Sequence, residues 1–174
     1  GNSVTEWRFE RIATHVIPNT RKLITAMRKA GGRVIYVTIG AALPDCSDAP
    51  IHMRGFFQSL GNYEGQHAHQ IIDELAPEPG DPIVRKTSMG AFASTGLDHL
   101  LRSLDLEHLF VTGVSTNMCV ETTARKAADR GYAVTLVEDA CAATDKELHE
   151  GALRNFSRFF GTVRSTDDVT ALLG

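Results

Sequence analysis

The 174-residue chain is short of cysteine, of excess charge and of long apolar runs, and each shortage removes a class of function. Its three cysteines, Cys46, Cys119 and Cys141, are odd in number and form no C-x-x-C pair, so neither a disulfide framework nor a zinc site is indicated. Free thiols fit a reducing compartment, and the expected location is the cytoplasm. The 18 Lys+Arg against 21 Asp+Glu leave a net charge of -3, which gives no basic surface for nucleic acid or an anionic membrane. The longest apolar runs, such as HLFVTGV and AVTLV, are far too short to span a bilayer. Internal repeats, low-complexity tracts and linkers are missing too. What remains is one globular domain over residues 1–174, 43% hydrophobic and long enough for a sizeable core.

Strand-like and helix-like segments alternate along it. Residues 33–38 (RVIYVT), 81–86 (DPIVRK), 107–112 (EHLFVT), 132–137 (YAVTLV) and 161–164 (GTVR) read as five strands. A helix carries Val16, Leu23, Ile24 and Met27 at helical spacing, with Pro18 inside or opening it and Gly31 stopping it. Further helices are expected near residues 67–76, with Ile71, Ile72 and Leu75 as the buried stripe, and near 96–104, 117–129 and 146–159. Such alternation implies βαβ crossovers and a parallel sheet covered on both faces, an α/β fold. The irregular stretch 39–65 is either a functional loop or a disordered excursion.

Ligands of an open parallel sheet bind beyond the carboxyl ends of its strands. Lys86 ends one strand, and residues 113–119 follow the next. Cys119 falls in the first turn of a helix, where free backbone N–H groups and the helix dipole favour a thiolate and can donate to an oxyanion. Ser115, Thr116 and Asn117 are N-cap candidates. Taken alone, Cys119 reads first as a small buried hydrophobe, and Lys86 as a lysine reaching to solvent. Together they form a plausible ion pair across the top of the sheet. His52 and Arg54 lie in the substrate-side stretch, and Arg54 is a candidate carboxylate clamp. His67 and His69 are expected to face solvent rather than bind metal, and Trp7 and Phe9 to dock the N-terminal arm on this domain or on a partner.

The segments GVSTNMCVETTARKAADRGYAVTLVEDAC and KTSMGAFASTGLDHLLRSLDLEHLFVTGV resemble the nucleophile and lysine regions of the isochorismatase-like cysteine hydrolase superfamily. The likeness runs from about Val16 to the C-terminus. It implies a three-layer Rossmann-like fold with six parallel strands, of which five are readable here, and an Asp–Lys–Cys triad. By motif, Cys119 would be the nucleophile and Lys86 the group that stabilises its thiolate. The Val114–Ser115 bond would be cis, and the N–H groups of Ser115 and Cys119 would hold the oxyanion. Arg54, Thr116 and Asn117 would contact a small-molecule substrate. No metal and no cofactor are implied, and a homodimer or homotetramer is. Ureidoacrylate- and biuret-type members look closest.

One departure stands against this match. The family's aspartate ends a first, mid-sheet strand like V-I-D-M-Q, and no Asp precedes Asp45 here. The expectation is that such a strand lies upstream of Gly1; Asp45, Asp48 and Asp139 are the substitutes within the chain. The activity implied is hydrolysis of a C–N bond in a small amide, ureido or carbamoyl compound through a Cys119 thioester. The alternatives are a catalytically impaired binding or scaffold domain, and a vinyl ether hydrolase of the isochorismatase type.

Overall fold

A computed structural model describes residues 3–174 of the chain. It opens on one long helical rod: α1 (Ser3–Arg11), a wide π-type turn (Ile12–Val16) and α2 (Ile17–Lys29). Pro18 has no N–H to give to the preceding turn, and the widened turn lets the helix run on. Gly31, at φ +77°, ends it as expected, its N–H donating to the Arg28 carbonyl at 3.0 Å. Trp7 therefore sits on a helix rather than a loose arm, its ring 5.9 Å from that of His149, while Phe9 faces outward.

All five expected strands form: β1 (Tyr36–Ile39), β2 (Ile83–Lys86), β3 (His108–Val114), β4 (Ala133–Ala142) and β5 (Thr162–Arg164). Every pairing is parallel, and helices flank the strands, so the α/β fold class is as expected. The strands nevertheless make two sheets, β1-β2 and β3-β4-β5. β1 and β3 share no ladder; they border a cavity of about 580 Å³ lined by Tyr36, Val37, Thr38, Phe110, Val111 and Val114 among others. The resemblance puts its Asp-bearing strand in mid-sheet, and this gap is in mid-sheet.

Three cores hold the layers together. The largest packs α4 (Leu97–Ser103), α5 (Glu121–Ala128) and α6 (Lys146–Phe159) on β4 through Leu101, Ala124, Leu136 and Phe156. Leu23 of α2 and Val169 of α7 (Thr166–Leu173) bury Val137 on the other face. The third core settles the stretch 39–65. It is ordered, because α3 (Ile51–Leu60) turns Met53 and Phe57 onto Ala41, Cys46 and Ala49.

The expected helix at 67–76 does not form. Single 3₁₀ turns at His67–His69 and Asp73–Leu75 flank an extended link, with Ile72 45% exposed. Pro77 forces Ala76 into an extended conformation (ψ 135°), leaving too short a run to repay helix nucleation. Ile71 and Leu75 line the cavity instead of a helix stripe.

Gly161, between α6 and β5, shows how tightly the layers close. A Cβ there would collide with the Val134 carbonyl oxygen and stand 2.9 Å from the Phe156 ring. Gly161→Ala is expected to cost about 1–3 kcal/mol of stability, read as a lower urea midpoint with an unchanged slope.

Candidate active site

Lys86 ends β2 with its side chain turned inward, and the residue is only 3% exposed. An ammonium has three N–H donors, and all three find acceptors: the Ser88 carbonyl at 2.8 Å, the Met89 carbonyl at 2.8 Å and Cys119 Sγ at 3.3 Å. Both carbonyls come from the loop that follows β2, which is tied to α5 by the Ala91 N–H donating to Thr123 Oγ1 at 3.1 Å. Burial pushes the Lys86 ammonium below its ordinary value, and the neighbouring Cys119 sulfur pulls it back up. Two neutral carbonyls offer an ammonium hydrogen bonds but no countercharge. Among the described residues the sulfur is the one direct partner that can be an anion, so the arrangement suits a thiolate at Cys119.

Cys119 rides on a wide π-type turn (Thr116–Val120) between β3 and α5. The Ser115 carbonyl draws that turn together, accepting from the Met118 N–H at 3.1 Å and the Val120 N–H at 3.2 Å. Ser115 occupies the N-cap position, although its side chain makes no capping bond. The Val114–Ser115 peptide is cis, as the resemblance implied. Gly113 just before it has φ +121°, a region that a side chain rarely enters. Met89 Sδ lies 3.8 Å from Cys119 Sγ and covers one side of the thiol.

The other named residues fall at varying distances from this pair. Thr116 is fully buried, its Oγ1 2.8 Å from His149 Nδ1. Asn117 is half-buried and borders a second, polar hollow with Glu121 and Leu148. Arg54 is exposed on α3 and donates from Nε to the Ala49 carbonyl at 2.8 Å. Cys46 and Cys141 are buried, and burial raises both thiols, Cys141 to about 12. His67 is exposed, whereas His69 is half-buried, with Nδ1 3.1 Å from Asn62 Oδ1, and so does not face solvent as expected.

Each substitute aspartate is engaged elsewhere. Asp139 Oδ1 accepts from Thr166 N–H at 2.8 Å and Thr166 Oγ1 at 2.7 Å. Asp48 accepts from the N–H groups of Ala42 and Leu43. The Ser47 N–H holds the Asp45 carboxyl below the usual carboxylate range. Among the described residues, no carboxylate is hydrogen-bonded to Lys86 or Cys119.

The isochorismatase domain model matches residues 10–168. The chain belongs to the isochorismatase family. Ureidoacrylate amidohydrolase RutB of Pantoea ananatis is 34% identical over 174 aligned residues, spanning 91% of this chain and 70% of the relative. Among solved structures, a cysteine hydrolase from Pseudomonas syringae pv. phaseolicola superposes with a TM-score of 0.85 at 30% identity, covering 91% of this chain and 80% of that one. N-carbamoylsarcosine amidase from Thermoplasma acidophilum gives a TM-score of 0.75 at 29% identity, covering 89% and 84%. This isochorismatase-family hydrolase thus has relatives whose names specify cleavage at an amide or carbamoyl group. Among its described residues, no helix is long and apolar enough to cross a membrane.

Proposed function

We propose that this isochorismatase-family hydrolase is a cysteine amidohydrolase that cleaves the C–N bond of a small amide, ureido or carbamoyl compound. The observation that carries the reading is the Lys86 ammonium, its donors shared between two carbonyls and the Cys119 sulfur at 3.3 Å. In this scheme the Cys119 thiolate attacks the carbonyl carbon, and the N–H groups of Ser115 and Cys119 stabilise the oxyanion. Collapse to the thioester expels ammonia or an amine, its added proton drawn from a water molecule whose hydroxide then attacks the thioester carbonyl, breaking the C–S bond to give the acid and the Cys119 thiolate. Arg54 and Asn117 are proposed to contact the substrate, whereas Thr116, fully buried with its hydroxyl on His149, is left to shape the turn. The names of the amidohydrolase and amidase relatives support the C–N bond as the one cleaved.

The test is ammonia release from a panel of ureido, carbamoyl and amide compounds, with mass spectrometry to catch an acyl group on Cys119. Release that persists in Cys119→Ala would sink the mechanism. A related measurement is thiol selectivity: iodoacetamide at neutral pH is expected to label Cys119 at least about tenfold faster than Cys46 or Cys141, both of which are buried and raised by burial. Equal labelling of the three would rule out an activated thiolate.

A second reading, a catalytically impaired member, is favoured by one observation: Asp45, Asp48 and Asp139 all serve backbone or hydroxyl groups away from the Lys86–Cys119 pair. That reading keeps acylation of Cys119 and loses turnover for want of a carboxylate acid-base. Turnover restored by added formate or acetate would identify the missing group; a full rate without either would dismiss impairment.

We also propose that copies of this chain associate as a homodimer or homotetramer. Ile51, Phe56 and Leu60 of α3 are all more than half exposed and support it. Sedimentation showing a monomer at micromolar concentration would overturn it.

A further inference from the structure

Joined to the Cys119 turn at Thr116 lies a buried polar chain that the proposed chemistry does not use. His149 of α6 is 4% exposed, and both its ring nitrogens are occupied: Nδ1 is 2.8 Å from Thr116 Oγ1, and Nε2 is 3.1 Å from Arg11 Nη2. A guanidinium donates and never accepts, so Nε2 must present a lone pair to Arg11. The ring is then neutral, its proton sits on Nδ1, and it donates to Thr116 Oγ1. A ring turned over by 180° would set carbon atoms against both partners.

Arg11 is itself held in place. Its Nε donates to the Cys141 carbonyl at 2.8 Å, its Nη2 to the Glu138 carbonyl at 3.0 Å, and its guanidinium lies 5.5 Å from the centre of the Trp7 ring. The chain thus runs from the irregular end of β4, through Arg11 and His149, to Thr116, the first residue of the turn that carries Cys119.

We propose that Arg11 and His149 are positioning residues that clamp Thr116 and so fix the backbone of the turn from Ser115 to Cys119. Neither touches Cys119 or Lys86; they act through Thr116. Backbone N–H groups can stabilise an oxyanion only when held in place beforehand, and a displacement of about 1 Å costs orders of magnitude in rate. Only the kinetic consequence rests on the amidohydrolase reading. The clamp is a statement about hydrogen bonds and can be tested without a substrate.

The first measurement is the ¹⁵N spectrum of the His149 ring at pH 7, where a neutral Nδ1–H tautomer is expected. An Nε2–H tautomer or an imidazolium would overturn the proposal. The second is amide exchange at Met118 and Val120, whose N–H groups bond the Ser115 carbonyl. His149→Ala is expected to speed that exchange at least about tenfold. His149→Asn, whose amide N–H₂ can occupy the place of Nδ1, is expected to stay within about threefold of wild type. Equal exchange in all three proteins, or no rescue by Asn, would refute the clamp. Should His149→Ala fail to fold, Thr116→Val removes the acceptor at nearly constant volume, and the same acceleration is expected of it.

If the wild type hydrolyses a compound of the panel, His149→Ala should lower kcat at least about tenfold with KM little changed and iodoacetamide labelling of Cys119 unaltered. A kcat equal to wild type would overturn the proposal even with the tautomer as stated. If the wild type hydrolyses nothing, the amidohydrolase reading fails by itself, and tautomer and exchange still decide the clamp.

Discussion

Lys86→Met is expected to slow iodoacetamide labelling of Cys119 by about 10- to 100-fold and to abolish hydrolysis as completely as Cys119→Ala does. Opposite charges about 4 Å apart attract by roughly 4 kcal/mol at an effective dielectric constant of 20, and desolvation of the ammonium cancels part of that. A remainder of about 1.4–2.8 kcal/mol corresponds to the stated range of labelling rates. In the proposed mechanism the two residues act as a unit, the Lys86 ammonium supporting the Cys119 sulfur that attacks. The double variant is therefore expected to share the residual rate of either single variant, since knocking out either member of such a unit already removes the function. Labelling at the wild-type rate in Lys86→Met would show that the 3.3 Å contact does not govern the sulfur. A double variant slower than both single variants, near the product of their losses, would show that the two contribute independently. The variant also leaves the Ser88 and Met89 carbonyls without their shared donor, so a melting curve must accompany it.

Both halves of that pair were legible in the sequence because each follows an apolar strand. The runs ending at Lys86 and Gly113 read as strands, and whatever comes next must lie at the sheet's carboxyl edge. Their 3.3 Å approach was not legible, since it depends on the path of the loop after β2 and on a wide turn that no spacing rule describes. All five strands fall where the sequence puts them, with ends that differ by up to three residues except in β4, which continues past Val137 to Ala142 through an irregular stretch opposite β3. Glu138 and Asp139 interrupt its apolar run and read as the end of the strand, yet Asp139 is retained there by Thr166.

The helices went less evenly, and for identifiable reasons. The segment 67–76 offered the right apolar spacing, but Pro77 and the short run deny it enough internal hydrogen bonds. α3 went unread inside a stretch rich in Gly, Pro and Asp, although Pro50 ahead of it, the Met53/Phe57 spacing and Gly61 behind it mark both ends and the buried face. α7 is announced by Ser165 and Asp168, whose reciprocal bonds close a capping box at its start. The gap between β1 and β3 follows from no local pattern, and only the resemblance, with its first mid-sheet strand, anticipates it. Each strand is a sound element by local criteria, and only the arrangement of the two sheets exposes their unpaired edges to the cavity. His149 was equally hidden. On α6 it looks like one more polar residue among many, and its part emerges only when Arg11, 138 positions away, arrives beside it.

That burial makes a second large effect, a loss of stability on acidification that His149→Asn should remove. Desolvation, and after it the Arg11 guanidinium, lowers the ring from its ordinary 6.5 to about 4; the Glu150 carboxylate opposes this weakly, and Thr116 and Trp7 add no charge. The folded pKa lies below the unfolded one, so between the two values the unfolded chain binds a proton that the folded chain refuses. Stability must then rise with pH across that window. The contribution is full above about pH 6.5, shrinks as the pH falls, and is gone below about 4. Roughly 2 kcal/mol should be lost by pH 5 and about 3 kcal/mol by pH 4, at 1.36 kcal/mol per unit. Urea unfolding at pH 7, 6 and 5 measures it, before the carboxylates titrate appreciably. The wild-type midpoint is expected to fall steeply across that series, and the His149→Asn midpoint, lower at pH 7, to fall much less, its remaining slope coming from His69, whose ring burial also lowers. Parallel curves for the two proteins would mean that His149 takes up its proton as readily in the fold as in the unfolded chain, and that Arg11 does not hold it neutral.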